Sequence, residues 1–138
     1  MIVGDIMTRS VISAPAETSV AGAIALLEPM EIRHLPVTDA GGNLIGIVAE
    51  RDLHSFYAPR QELAGNWAEA VQSKLEEPIS RIMTEPTLVV NEDTPVAKAI
   101  EIIIASHVSA LPVVAGEKLV GILSFVDLLR ALGKKLDA

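Results

Sequence analysis

The chain has 138 residues, of which 50% are hydrophobic and 21% are charged, with a net charge of −7 and no cysteine. This length suits one domain or two small halves around a shared core, and the composition predicts a folded chain. The acidic balance argues against nucleic acid as a partner, and the lack of cysteine excludes disulfides, thiolate zinc sites and cysteine nucleophiles.

The sequence contains two related copies. Ile6-Met7-Thr8 recurs as Ile82-Met83-Thr84, which lies 76 residues later. After a one-residue deletion at Asp39 the offset becomes 75, which pairs Gly46-Ile47 with Gly121-Ile122. The aligned copies share 18 identities over 50 positions, many more than unrelated segments of this composition would share. We therefore infer a duplication, in which two copies too small to be stable alone share a core.

In chain order, the first copy predicts a short strand, a helix, a hairpin and a second helix. Apolar residues at helical spacing mark the first helix, and a Gly-rich turn joins the two strands of the hairpin. These elements are the strand Val11-Ile12, a helix from Thr18 that Pro29 ends, strands over 34–38 and 44–48, and a helix from Glu50.

The second copy predicts the same order after a connecting segment. The connector contains a short amphipathic helix over 66–75, capped by Asn66, which either packs on the module or binds a partner. The elements of the second copy are a strand over 87–90, a helix from Thr94 with Pro95 at its first position, strands over 110–114 and 119–123, and a helix from Phe125 that stops at Gly133. The predicted organisation is copy one at 1–54, a linker at 55–78, copy two at 79–132 and a tail at 133–138.

These features together resemble a tandem pair of CBS domains, also called a Bateman module. The resemblance rests on Met-Thr at the head of each copy, on Leu-Pro-Val in the middle strand, and on the Gly and Asp residues before the last helix. It covers residues from about Ile2 to Leu132. It implies an α/β fold of two pseudo-symmetric β-α-β-β-α motifs packed through their sheets.

The resemblance also implies a function. Such pairs are non-catalytic regulatory modules that bind AMP, ADP, ATP or S-adenosylmethionine in clefts between the copies, and they form disk-shaped homodimers through their helices. The implied role is energy sensing that is signalled to an unidentified regulated protein, with no obligatory cofactor. Because no segment is long enough to span a bilayer and no basic leader precedes an apolar run, we expect a cytoplasmic protein without membrane association.

The resemblance assigns ligand contacts to two clefts, each built from both copies. Cleft A, the preferred one, combines three residues around the last helix with three residues of the first copy: Ile122, Ser124 and Asp127 with Ile12, Arg33 and His34. In cleft B the roles of the copies are exchanged, so that residues around the second helix of the first copy combine with residues of the second copy: Ile47 and Asp52 with Leu88, Val108 and Ser109.

The two clefts differ in the chemistry that they offer. An ionised Asp accepts both protons of a ribose diol, and Arg33 gives cleft A a cation for phosphate. The first turn of the last helix adds free N–H groups that favour an anion. Cleft B has Asp52, but Ala49 stands in the place of Ser124 and Ser109 in the place of Arg33. We therefore expect cleft A to bind more tightly.

Other interpretations remain open at this stage. Ser124 and Asp127 also fit a capping box, in which the Asp only stabilises the start of a helix. Arg33 and His34 are equally compatible with a solvated surface. The alternative function is a constitutive protein–protein interaction or dimerisation module with vestigial clefts. The three histidines show no metal-ligand spacing, and no catalytic set is evident, so neither a metal nor an enzyme is expected.

Overall fold

The computed structural model of the chain describes residues 1–31, 33–57, 66–86 and 88–137. Within these residues the chain forms five α-helices and two small two-stranded sheets, which confirms the predicted α/β class. The helices are α1 (Val20–Leu27), α2 (Glu50–Tyr57), α3 (Trp67–Leu75), α4 (Val96–Ser106) and α5 (Phe125–Leu136). The strands are β1 (His34–Thr38) and β2 (Leu44–Ala49) in one sheet, and β3 (Ala110–Ala115) and β4 (Lys118–Ser124) in the other. None of these helices is long and apolar enough to cross a membrane.

The chain divides into two compact units that are not continuous in sequence. We call one the Asp127 unit, which comprises Met1–Val11, Gly41–Leu44 and Pro86–Ala138. The other is the Asp52 unit, which comprises Ile12–Ala40 and Ile45–Glu85. The N-terminal head of the first copy therefore belongs with the body of the second copy, and the head of the second copy belongs with the body of the first.

The two heads dock by the same backbone hydrogen bonds. In the Asp127 unit, Thr8 exchanges two bonds of 2.9 Å with Ile122 on β4. In the Asp52 unit, Thr84 exchanges bonds of 2.9 and 3.0 Å with Ile47 on β2. A 3-10 helix precedes each of these contacts, at Val3–Asp5 and at Ile79–Arg81. The Met-Thr segment of each copy thus pairs with the Gly-Ile segment of the other copy, which explains why both segments are repeated.

Two glycines make this docking possible. A Cβ at Gly121 would lie 2.8 Å from the backbone oxygen of Thr8, and a Cβ at Gly46 would lie 2.6 Å from the sulfur of Met83. A larger residue at Gly121 would push the backbone of the head away from its strand, and one at Gly46 would require the side chain of Met83 to move. The glycines of the repeated segments therefore serve close backbone approach.

Each unit has its own apolar core. The core of the Asp52 unit is formed by buried aliphatic residues of α1 and the segment before it, of both strands, of α2 and of the docked head, namely Ala14, Val20, Ala23, Leu27, Leu35, Val37, Val48, Leu53 and Ile79. The core of the Asp127 unit is also apolar and is formed by Val3, Met7, Val90, Ala99, Leu111, Val113 and Leu123. Both cores contain a residue of the docked head at 0% exposure, Ile79 and Val3, so the heads are part of the packing.

Several predicted elements differ from the structure. The strand at Val11-Ile12 does not form, and the run near 88–90 contributes only an isolated parallel bridge from Val90 to Val113. Thr87, the first residue of that predicted strand, lies outside the described residues, as do Pro59 and Gly65 of the linker. In the first copy the corresponding parallel bridge runs from Ala14 to Val37, after the predicted strand. One bridge in each copy is too little to make a ladder.

The helix boundaries also needed correction. α1 begins at Val20 with Ser19 as its N-cap, whose hydroxyl accepts a 3.0 Å bond from the amide of Gly22. α4 begins at Val96, with Pro95 in the N-cap position. Asn66 precedes α3 as predicted, but its side chain makes no capping bond. α5 continues through Gly133 to Leu136, because a single glycine lowers helix propensity without forcing an end.

Candidate functional site

The first turn of α5 is closed by a reciprocal pair of hydrogen bonds. The hydroxyl of Ser124 accepts from the amide of Asp127 at 3.1 Å, and the amide of Ser124 donates to Asp127 Oδ2 at 2.9 Å. This is the capping box that the sequence left open as an alternative to ligand binding. Both residues are buried, with 5% and 8% of their surfaces exposed, respectively.

The docked head adds a third bond to this arrangement. The hydroxyl of Thr8 donates to Asp127 Oδ1 at 3.0 Å, so each carboxylate oxygen of Asp127 has one donor from the protein. A carboxylate oxygen has two acceptor sites, so each oxygen retains capacity for one more donor. The carboxylate is therefore fixed in orientation without being saturated, which is the condition that a ribose diol requires. Thr8 was not among the predicted site residues, although its place in the repeated Ile-Met-Thr segment marks it.

The corresponding corner of the Asp52 unit lacks this network. Ala49 precedes α2 and has no hydroxyl with which to cap it, and Asp52 is only half-buried. The hydroxyl of Thr84 donates to the backbone oxygen of Ile47 at 3.3 Å. The same backbone framework thus places an Asp at the same point with fewer bonds to hold it.

The predicted phosphate ligand Arg33 is engaged in an ion pair. Its Nη1 lies 2.9 Å and 2.7 Å from the two carboxylate oxygens of Glu50, the first residue of α2. The amide of Glu50 also donates to the backbone oxygen of Arg33 at 3.1 Å. Both side chains are about half exposed, at 49% each. Glu50 was predicted as the start of a helix and not as a partner of Arg33.

The equivalent pair in the Asp127 unit carries no charge. The amide of Phe125 donates to the backbone oxygen of Ser109 at 2.9 Å, which repeats the backbone bond between Glu50 and Arg33. Phe125 is 43% exposed. The two units therefore share a strand-to-helix framework and differ in whether it presents an ion pair or an apolar ring.

His34 lies on β1, one residue after Arg33, and is half-buried. Burial lowers its pKa, the positive charge of Arg51 lowers the pKa further, and the negative charge of Asp52 opposes both. The neutral imidazole is therefore favoured in the folded chain, so His34 adds little positive charge near neutral pH.

The other predicted contacts divide between the units. For cleft A, the first-copy residues Ile12, Arg33 and His34 lie in the Asp52 unit, and Ile122, Ser124 and Asp127 lie in the Asp127 unit. For cleft B, the Asp52 unit contains Ile47 and Asp52, and the Asp127 unit contains Leu88, Val108 and Ser109. Ile12 is 44% exposed, whereas the remaining apolar contacts are half-buried. Since each cleft draws on both units, the two cleft assignments stay predictions.

The described residues hold no cluster of three or more His, Asp or Glu side chains that could bind a metal ion. The chemistry that the described residues offer consists of fixed hydrogen-bond acceptors, an ion pair and apolar strand faces.

A family model described as CBS domain matches this chain twice, over residues 3–58 and 79–134. A CBS domain-containing protein of Dictyostelium discoideum is 28% identical over 138 residues, which span 99% of this chain and 94% of that protein. Several other curated relatives are longer, and this chain spans between 22% and 48% of their length.

Solved structures of similar chains include two with adenosine ligands. The CBS domain pair of protein MJ0100, in complex with 5′-methylthioadenosine and S-adenosyl-L-methionine, matches with a TM-score of 0.76 and 29% identity, over 98% of each chain. The protein CBSX2 in complex with AMP matches with a TM-score of 0.78 and 29% identity, over 96% of each chain. CBSX2 is from Arabidopsis thaliana.

Proposed function

Because this chain belongs to the CBS domain family and carries two CBS domains, we propose that it is a non-catalytic regulatory module that binds an adenosine-containing ligand. The observation that carries the proposal is its likeness, along nearly the whole chain, to CBS pairs whose structures contain AMP, or S-adenosylmethionine with methylthioadenosine. The proposed role is to signal the level of that ligand to a partner protein in the cytoplasm. Energy sensing is the form of this role if the ligand is an adenine nucleotide.

Asp127 is the proposed anchor of the ribose. Its carboxylate is buried and is held by Ser124 and Thr8, and each of its oxygens keeps one acceptor site for a ligand hydroxyl. Ile122 and Ser124 are the proposed neighbours of the ligand in the same unit, and the proposed contacts from the other unit are Ile12, Arg33 and His34. A weaker second site is proposed with Asp52 as its anchor and Ile47, Leu88, Val108 and Ser109 as its neighbours.

Calorimetry with adenosine, methylthioadenosine, AMP, ATP and S-adenosylmethionine tests this function. We expect Asp127→Ala to abolish the tighter binding event and Asp52→Ala to leave it nearly unchanged. Because Asp127 also caps α5, Asp127→Asn serves as the second variant, since its amide oxygen can still accept the capping bond. Circular dichroism checks that each variant is folded. Equal losses of affinity from the two Asp substitutions would contradict the preferred site, and silence of the wild-type chain toward the whole panel would contradict ligand binding.

The alternative is a constitutive dimerisation or interaction module, and exposed apolar side chains support it. On α5 the residues Phe125, Leu129, Leu132 and Leu136 recur at helical spacing and are between 43% and 77% exposed. On α4, Ile100 and Ile104 are 38% and 68% exposed, and Ala97 is also exposed. On α1, Ala21 is exposed, but Ile24 packs against the core of its own unit.

We propose that these faces form a homodimer, with or without ligand. Light scattering at micromolar concentration should then give twice the 14.6 kDa mass of the chain. Leu129→Glu should shift the chain toward the monomer, because it places a charge in the middle of the apolar face of α5. A wild-type mass near that of one chain would contradict the homodimer.

A further inference from the structure

We propose that the ligand of this module is an adenosine derivative without phosphate, either uncharged or positively charged, and that Glu50 sets this preference. The inference rests on the proposed function and names the class of ligand within it. Two separate observations support it, one in each unit.

The first observation is that the only cation among the proposed contacts is already neutralised. Arg33 Nη1 lies within 2.9 Å of both oxygens of Glu50, and the backbone bond from Glu50 to Arg33 keeps the two residues side by side. The pair has no net charge, so it lacks the long-range attraction for phosphate that a lone Arg would exert. An exposed ion pair is weak and a phosphate could open it, but the Glu50 carboxylate would then lie close to the phosphate.

The second observation is that the start of α5 is already occupied by protein acceptors. The amide of Phe125 donates to Ser109, and the amide of Asp127 donates to the hydroxyl of Ser124. The buried carboxylate of Asp127 accepts from the amide of Ser124 at the same turn. Helix N-termini bind anions through free amides and their dipole, and here the amides of Phe125 and Asp127 are used while a carboxylate stands beside them. This turn therefore accepts hydroxyl donors and repels phosphate.

Neighbouring groups add to the same preference. Asp52 lies on the same turn of α2 as Glu50, and His34 is held toward its neutral form. Arg51, which is exposed, is the remaining cation on that turn. If the inference is wrong, Arg51 is the side chain that we expect to bind the phosphate. A sulfonium or thioether group at the 5′ position of the adenosine needs no cation and is compatible with both carboxylates.

Titration calorimetry of the full chain with methylthioadenosine, S-adenosylmethionine, AMP and ATP tests the inference. We expect methylthioadenosine and S-adenosylmethionine to bind more tightly than AMP, and AMP more tightly than ATP. Glu50→Gln should raise the affinity for AMP about tenfold, because Arg33 gains a charge-assisted bond to phosphate, and should leave methylthioadenosine within about twofold. Glu50→Ala should act in the same direction.

Two controls isolate the cause. Glu77→Gln removes the same charge and another exposed ion pair of the same unit, the one between Arg81 and Glu77 at 3.1 Å, and should leave the order of ligands unchanged. The double variant Arg33→Gln with Glu50→Gln should lose the gain for AMP, since the gain acts through Arg33.

Each result decides between the inference and its failure. Tighter binding of AMP than of methylthioadenosine by the wild-type chain, or a Glu50→Gln variant with unchanged preference, would overturn the inference and leave the adenosine-binding function standing. No binding of any of the four ligands by the wild-type chain would overturn both. Equal gains for AMP in Glu50→Gln and Glu77→Gln would assign the effect to overall charge and would also overturn the role of Glu50.

Discussion

The Asp127 and Asp52 units show how one duplicated framework takes on two chemical characters. In both units a head segment pairs through two backbone bonds with the second strand of the hairpin, β4 or β2. An Asp follows at the third position of the next helix. In the Asp127 unit, Ser124 and Thr8 turn that Asp into the centre of a buried network, whereas Ala49 and the different bond of Thr84 leave Asp52 without one. Backbone register survives duplication more readily than side-chain networks, because it depends on glycines and apolar packing and not on three polar residues at once.

The largest expected difference between the two units is in the unfolding free energy lost when their docking glycines are substituted. Gly121→Ala places a methyl group 2.8 Å from a backbone oxygen of the head, and Gly46→Ala places one 2.6 Å from the sulfur of a flexible Met side chain. A backbone clash is harder to relieve, so we expect Gly121→Ala to cost about 3 kcal/mol of unfolding free energy and Gly46→Ala about 1 kcal/mol. Urea denaturation followed by circular dichroism measures both. Equal costs would show that the two heads dock with the same tolerance.

The second largest expected effect is the difference in unfolding free energy between variants that lose Asp127 and variants that lose Asp52. Asp127→Ala removes the capping bond and the bond from Thr8, so we expect it to lower the unfolding free energy by about 2 kcal/mol. Asp52→Ala should cost less than about 1 kcal/mol, because only a half-buried side chain is lost. The urea midpoints report the difference. Thr8→Val provides the control: on an Asp127→Ala background it should cost much less than in the wild-type chain, and additive costs would contradict the network.

A single hydroxyl should make the units more alike. Ala49→Ser offers the amide of Asp52 an acceptor and recreates the spacing of Ser124 and Asp127, so we expect a gain of about 0.5 to 1 kcal/mol. Ser124→Ala is the matched reverse change and should cost about 1 kcal/mol. Thermal denaturation compares the two. A loss of stability in Ala49→Ser would mean that the position cannot adopt the cap geometry.

The smallest expected effect concerns pH, and only the Asp52 unit should show it. His34 has its pKa lowered below the ordinary value of 6.5 by burial and by Arg51, and its counterpart in the second copy is Ala110. In the unfolded chain His34 takes up its proton at a higher pH than in the folded chain. Its contribution therefore lowers stability as the pH falls below about 6.5, and this loss ends once the folded chain is protonated too. His34→Gln should flatten the dependence of the urea midpoint between pH 7 and pH 5, and an unchanged slope would assign it to other groups.

The fold was largely predictable because it depends on signals that are local or repeated. Helical spacing identified α1 and α4, the Gly-rich turn identified the hairpin of the first copy, and the motifs that recur in both copies identified the family. The exchange of heads was not predictable from the duplication, because a repeat of Met-Thr and Gly-Ile fits docking within a copy as well as docking across copies. The strand expected at Val11-Ile12 does not form, and the described residues 88–90 of the other expected strand make one bridge only, because β-branched residues give strand propensity without supplying a partner along the whole run.

Within the candidate site, the contact between Ser124 and Asp127 was predictable from the sequence, whereas the bonds made by Thr8 and by Arg33 were not. Ser124 and Asp127 were expected to form hydrogen bonds with each other, and they do, because they lie three positions apart at the first turn of a helix. The bond from Thr8 to Asp127 joins residues that are 119 positions apart, which no local spacing reveals. The pair of Arg33 and Glu50 depends on the register of the strand against the helix that follows, and this register becomes visible only when the backbone is placed.

The exchange of heads also constrains the order in which the chain can fold during synthesis. The Asp52 unit has all of its residues once Glu85 has left the ribosome. The Asp127 unit needs Met1–Val11, which emerge first, and Pro86–Ala138, which emerge last. Its N-terminal segment must therefore wait, with the apolar side chains of Val3 and Met7 exposed, until more than 70 further residues are made, and closing so long a loop adds an entropic cost that slows this step. Cutting the gene between the two copies would leave each fragment with the head that belongs to the other, so neither CBS domain should be obtainable as a stable half by expression of its own copy alone.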